Sequence, residues 1–300
     1  MAITPSGSNT WDNSGVKYPK LHQRIMEIPF DAWDMRQLLM NVNVNTDRYV
    51  IPKEVGSSTA TVDRVAEGAE TPLQYNDIES QEIETYKIGR GFEMTWEMVN
   101  QEQIPIMDQR LKALKLQLYN TVNYDIIMGI IDGVPGANIV AASGTSLGRD
   151  MSEVTIAGTP GEYDITEAIR IVKENYKKPN LLICNPLGAQ WIERLPHYSH
   201  ADIYGEAVNQ NGLGGRLYGM QVVVSNQVPS GTMLIMSTEI ESVYSKQYTP
   251  LGFFVLERDI DIRVRERNDR DAREIYAYMR YGIGVTRGEN IAKITYTSSS

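Results

Sequence analysis

The sequence is short of the groups that most chemistry needs. It has one cysteine, Cys184, so it can form no internal disulfide. Cys184 closes the apolar run Leu181-Leu182-Ile183-Cys184, which reads as a buried strand. Its thiol is therefore expected to be inert, and the chain to suit a reducing compartment. No stretch approaches the roughly 20 apolar residues that a membrane-spanning helix needs. Met1 to Asn13 carries neither a basic residue nor an apolar run, so no signal peptide is expected and the protein reads as soluble. Positive charge is also scarce: 29 Lys and Arg stand against 38 Asp and Glu, a net charge of −9. Such a chain gains little from counterion release, which argues against sequence-independent DNA binding over its whole surface.

Catalytic signatures are equally thin. Of three histidines, His197 and His200 are close enough in sequence to share a metal, but they fall in a loop, Pro196 to Asp202. Gly212-Leu213-Gly214-Gly215 lacks the Lys-Ser/Thr pair of a phosphate loop. A metal-dependent enzyme is the reading these residues leave, and it is a weak one. The expectation is no enzyme, no metal and no cofactor.

What is present is structural. A chain of 300 residues, 42% hydrophobic, can bury one large core or two smaller ones. Residues 1–20 are polar and read as an extended arm. A short helix fits around 31–40. Between Lys53 and Lys87 there are eight acidic and three basic residues. Ser57 to Val65 reads as one strand and Glu84 to Met94 as its return, a hairpin polar on both faces that needs a partner to lie on. Met107, Leu111, Leu114, Leu118, Val122, Ile126 and Ile130 recur at helical spacing, predicting a helix over 104–130, roughly 40 Å long, stopped by Gly129 and the Asp132 to Gly136 run.

After Gly136 the pattern becomes mixed α/β. Residues 137–162 read as a Gly/Ser/Thr-rich connection. Asp164 with Glu167 suggests a capping box before Ile165, Ile169 and Val172. Asn185-Pro186 reads as an N-cap and first helical position. Tyr218 to Val224 and Thr232 to Met236 read as strands, and 196–215 as a polar loop. In the tail, Ile260, Ile262 and Val264 alternate with charges before an Asn268 to Asp271 turn. Ile275, Ala277, Met279, Ile283 and Val285 then share a face, predicting a hairpin that lies on the long helix. Its six basic and seven acidic side chains between Glu257 and Glu274 fit either cross-strand ion pairs or a subunit contact that fixes register. A last strand covers 291–297.

The order of arm, hairpin, long helix, inserted α/β unit and β-rich tail resembles the major capsid proteins of tailed phages, with the Hong Kong 97-type fold. Three segments carry the likeness: Val65 to Pro72, Phe92 through the helix to Gly129, and Gly219 to Thr232. The resemblance implies an α+β fold. Residues 1–25 would be an N-terminal arm, 53–90 an extended loop and 137–237 an axial domain. Residues 26–52, 91–136 and 238–300 would form a peripheral domain with the spine helix. It implies subunits that assemble through pentamers and hexamers into an icosahedral shell around double-stranded DNA, in the virion, after assembly in the host cytoplasm. Inter-subunit contacts are expected at Glu67, Gly68, Glu70, Pro72 and Tyr75 of the loop. Gly89 and Gly91 are expected to act as its hinge, and Tyr204, Asn209, Asn211 and Gly212 to form the axial tip.

Only about 25 residues precede the expected folded part, so a separate scaffolding protein is expected beside a portal protein, with cement proteins an option. The loop tip, Ala66 to Asp77, has no lysine, which disfavours the Lys–Asn cross-links some members form. An encapsulin-type nanocompartment is the nearest rival.

Overall fold

The computed structural model describes residues 34–55, 77–95, 106–147, 153–175, 177–195, 216–238, 250–267 and 271–297. These fall into two compact units. The smaller holds the described parts of 89–119 and 262–277; the larger holds the rest.

The chain enters through a single 3-10 turn, Met35–Leu38. Asp34 caps it, accepting from the Arg36 N–H at 3.1 Å and gripping the Arg36 guanidinium. The described part of the expected helix over 31–40 holds only this turn, because Leu39 is already extended and Met40–Asn43 leaves as strand β1. Strands β2 (Arg48–Val55) and β3 (Asp77–Glu84) form a two-stranded antiparallel ribbon. Strand β4 (Tyr86–Thr95) follows after one residue, Thr85, but belongs to another sheet. The predicted strand Glu84 to Met94 is found as β4, but the partner of β2 is β3, and Ser57 to Val65 lies outside the described residues.

Helix α1 spans Ile106–Asp132, two residues past the expected end, while 104 and 105 lie outside the described residues. Leu114 and Leu118 in the smaller unit, and Val122, Ile126 and Ile130 in the larger, are buried on one stripe, as their four-residue spacing requires. Gly129 does not stop the helix. The stop comes at Gly133, whose N–H donates to the Gly129 carbonyl at 3.0 Å.

The stretch expected as a plain connection contains three short strands: β5 (Ile139–Ala141), β6 (Thr145–Leu147) and β7 (Glu153–Thr155). Helix α2 (Glu162–Glu174) begins at Gly161, not Asp164. Gly161 has no side chain to cap with, so Asp164 reaches back from the third helical position. One of its oxygens accepts from the Gly161 N–H at 2.7 Å. The carboxylate also takes the Ser143 N–H (3.0 Å), the Ser143 hydroxyl (2.6 Å) and the Gly144 N–H (3.1 Å). A buried carboxylate with four donors is satisfied, and this one ties the 143–144 turn to the start of α2. Gly144 has φ +74°, and a Cβ there would lie 1.8 Å from the Ile156 carbonyl oxygen, so no other residue fits without rearrangement.

Strand β8 (Leu181–Cys184) and helix α3 (Pro186–Arg194) match the sequence reading. The Asn185 side chain accepts from the Gly188 N–H at 2.7 Å and Pro186 takes the first helical position. Strands β9 (Arg216–Leu217) and β10 (Met220–Val224) form a hairpin whose two-residue turn is Tyr218-Gly219, with φ of 51° and 81°. Tyr218 is therefore a turn residue and not the start of a strand. Strand β11 (Thr232–Met236) follows as predicted. The tail hairpin is longer than expected: β12 (Gly252–Arg267) and β13 (Ala272–Val285), then β14 (Ile291–Thr295).

One sheet has the order β5-β14-β11-β8-β10-β9 and a second β1-β12-β13-β4. In the six-stranded sheet, alternate residues serve opposite faces. Leu182, Cys184, Met233, Ile235, Ala292 and Ile294 meet α2 and α3. Leu181, Ile183, Leu234, Met236 and Ile291 meet the last turns of α1 together with Phe254, Met279 and Tyr281 of the tail strands. A sheet covered on both faces needs unbroken apolar strands, which explains Leu-Leu-Ile-Cys and Met-Leu-Ile-Met. Each such side chain contributes about 1.5–3 kcal/mol on burial.

Candidate subunit-contact surfaces

The β2–β3 ribbon pairs over eight residues, from Arg48 opposite Glu84 to Val55 opposite Asp77. Three of its outward side chains are charged: Arg48 stands 3.5 Å from Glu82 and 3.3 Å from Glu84, all well exposed. Val50, also outward, is 50% exposed. On the opposite face Tyr49 and Ile51 are half-buried, and Tyr49 packs on the Phe253 ring with centroids 5.9 Å apart.

Its root is different. Ile83 is buried against two glycines of β13. A Cβ on Gly284 would come 2.3 Å from the Ile83 Cδ1, and one on Gly282 would come 2.6 Å from the Glu84 carbonyl oxygen. The Gly282-Ile283-Gly284 pattern thus makes a slot for an incoming side chain. The Gln81 amide donates to the Val285 carbonyl at 3.2 Å. Thr85 finishes the attachment. Its N–H donates to the Asp47 carbonyl (2.9 Å) and its hydroxyl to Glu257 (2.6 Å). Glu257 is also bonded by Arg280 at 2.6 Å. The Thr85 hydroxyl, then Arg280, hold the Glu257 carboxyl below its usual range against some burial. Just beyond, Tyr86 and Tyr281 both donate to the same oxygen of Asp125 on α1, at 3.1 and 2.5 Å. Burial, with the Asp125 carboxylate adding to it, pushes the Tyr86 phenol up to about 12 and raises Tyr281 as well.

Gly89 and Gly91, expected as a hinge, lie inside β4. A Cβ on Gly91 would come 2.5 Å from the Tyr276 ring, so this glycine answers to close packing. The loop contacts Glu67, Gly68, Glu70, Pro72 and Tyr75 lie outside the described residues, as do the axial-tip residues Tyr204, Asn209, Asn211 and Gly212, the arm, His197 and His200. Among the described residues, no three His, Cys, Asp or Glu side chains are grouped to hold a metal ion, and no helix is long and apolar enough to cross a membrane.

Near the tail turn, Arg267 pairs with Glu274 at 3.3 Å and Arg273 with Glu266 at 3.1 Å. Cross-strand ion pairs therefore account for part of the charge density. On β12, Ile262 and Val264 are 39% and 59% exposed, so the apolar face expected to be covered is open there.

Sequence reasoning missed Ile83, Thr85, Glu257 and Asp125. The one signal that could have found the root was the Gly-x-Gly spacing inside a strand.

The family model described as phage capsid protein matches residues 78–294. The chain belongs to that family. Solved structures agree on the fold of this capsid protein. The capsid of a native GTA particle aligns at TM-score 0.71 and 13% identity, over 99% of each chain. The capsid of the cyanophage P-SCSP1u aligns at 0.68 and 11%, over 99% of this chain and 100% of that one. The SrpI encapsulin complex of Synechococcus elongatus PCC 7942 aligns at 0.59 and 13%, over 88% and 89%. No curated protein sequence matches. The α+β architecture is the Hong Kong 97-type capsid fold. The protein's role is to build an icosahedral shell in the virion, a structural one by its family.

Proposed function

We propose that this is the major capsid protein of a tailed phage, assembling through pentamers and hexamers around double-stranded DNA. One observation carries the reading most directly. The ribbon is gripped at its root by Ile83, Gln81 and Thr85, while Arg48, Val50, Glu82 and Glu84 on its outward face are exposed. A projecting element fixed at one end is built to reach another copy. Glu67, Gly68, Glu70, Pro72 and Tyr75 are the proposed contacts farther out, and 137–237 the proposed axial domain. Many modest contacts that close one shell hold strongly together, because each raises the effective concentration of the next.

The rigid root moves the proposed hinge. Adjustment between shell positions falls beyond Gln81 and Ile51, not at Gly89 and Gly91. A scaffolding protein, a portal protein and cement proteins are further partners in this reading, and assembly takes place in the host cytoplasm. The net charge of −9 leaves the inner surface non-adhesive, so DNA is enclosed without sequence-specific binding.

Electron microscopy of the purified protein, alone and with a scaffold partner, tests the proposal. Closed icosahedral particles are the expected outcome; a compact monomer under both conditions overturns it. Strong binding of empty shells to DNA at physiological salt would contradict the non-adhesive interior. An encapsulin-type compartment is the second reading, favoured by the aligned encapsulin fold. A neighbouring cargo-enzyme gene in place of portal and terminase genes would support it.

A further inference from the structure

A groove of about 640 Å³ opens on the α/β unit between the outer face of α2 and the β9–β10 turn. Ile169, Pro179 and Tyr218 give it an apolar lining, and Arg170, Lys173, Lys178 and Glu174 rim it, a net charge of +2 from three cations and one carboxylate. Arg170 is taken up on its own helix by Glu167 and Glu174. Among the described residues, no carboxylate lies within ion-pair distance of Lys173 or Lys178. Tyr218 holds a left-handed backbone conformation, φ 51°, that a residue with a Cβ adopts only at a cost, and its ring stays 39% exposed.

We propose that, within the shell reading above, this groove receives residues 196–215 of a neighbouring copy. In a ring of identical subunits the contact is heterologous: a patch on one copy meets a different patch on the next. Residues 196–215 carry two carboxylates, Asp202 and Glu206, and no Lys or Arg, a net −2 to set against Lys173 and Lys178. They also bring Tyr198 and Tyr204, amphipathic rings suited to an apolar floor with a polar rim. The arm, residues 1–25, has Lys17, Lys20 and Arg24 against Asp12 and would be repelled. The loop stretch 56–76 is acidic as well but offers one tyrosine, Tyr75.

Disulfide trapping tests this on the full chain, since Cys184 is buried and stays silent. Assembled Lys173→Cys/Asp202→Cys protein, oxidised and run unreduced on a denaturing gel, is expected to give a ladder of linked subunits. A monomer band only, an intrachain cross-link, or a ladder from Lys173→Cys/Glu67→Cys in its place overturns the proposal. In parallel, Lys173→Glu/Lys178→Glu is expected to cut particle yield about tenfold or more, as loss of one repeated contact should, with Asp202→Lys/Glu206→Lys restoring it. Failure of that restoration also overturns the proposal. Particles without a ladder sink the groove contact alone; absence of particles from the unmodified protein sinks the shell reading itself.

Discussion

The six-stranded sheet and the β2–β3 ribbon are both β-structure, yet among the described residues only the sheet has a layer on each face. Leu182 and Ile183 of β8 are adjacent in sequence and both fully buried, one toward α2 and α3, the other toward α1 and the tail strands. In the ribbon, Ile83 is buried while its neighbours Glu82 and Glu84 point outward beside Arg48. The first region satisfies itself; the second is satisfied only where it touches the body. An element in the second condition is legible as an assembly device because its own chain gives it so little to bury.

Substitutions should separate the two regions. The largest effect is expected at Asp164. Asp164→Ala leaves four donors around an empty buried position and should cost about 3–5 kcal/mol in denaturant unfolding. Leu182→Ala in the sheet core should cost about 2–5 kcal/mol by the same measurement. If both are silent, the sheet is not the self-sufficient half of the pair. Gly284→Val should expel Ile83 from its slot at a cost of about 1–3 kcal/mol, and should lower particle yield more than it lowers subunit stability. Equal losses in the two would mean that the root serves only the fold. Arg48→Ala on the outer ribbon should change unfolding by less than about 0.5 kcal/mol, since its pairs are solvent-exposed.

Titration offers the finest distinction. The Glu257 carboxyl is lowered in the folded chain, so its contribution is present above the ordinary value of 4.5 and is lost as pH falls through the folded value. Amide exchange around Thr85 should therefore quicken in acid before exchange in β8 does. Cys184 shifts the other way: burial pushes its thiol up to about 12, above an ordinary 9.0. Its contribution holds below pH 9.0 and is lost as pH rises from there. Alkylation of the native protein near neutral pH should leave Cys184 unmodified until the sheet unfolds.

The parts read correctly from sequence are those where one local signal suffices. The four-residue spacing from Leu114 to Ile130 specified α1, and Asn185-Pro186 specified the start of α3. The misreadings share a cause: a partner distant in sequence decided the outcome. Asp77 to Glu84 is rich in Asp, Glu, Ser and Gln, which disfavour strands, and becomes β3 because β2 pairs with it along its whole length. Asp164 carries a cap signature, but Gly161 precedes it and the carboxylate turns to the 143–144 backbone as well. Tyr218 looks like strand by propensity, and only Gly219 hinted at a turn. The loop root needed Ile83 and Gly284 to be seen together, and they are 201 positions apart by the sequence numbering.

Strand β14 has an effect on timing. It sits between β5 and β11, so β5 joins the six-stranded sheet only through residues 291–295. A ribosome making this chain releases β5, β8, β10 and β11 well before the strand that joins β5 to the rest has emerged. Nascent chains therefore cannot finish this unit before residues 291–295 have been made. Shell building is held back until each polypeptide has been synthesised through β14, which keeps unfinished copies out of the particle.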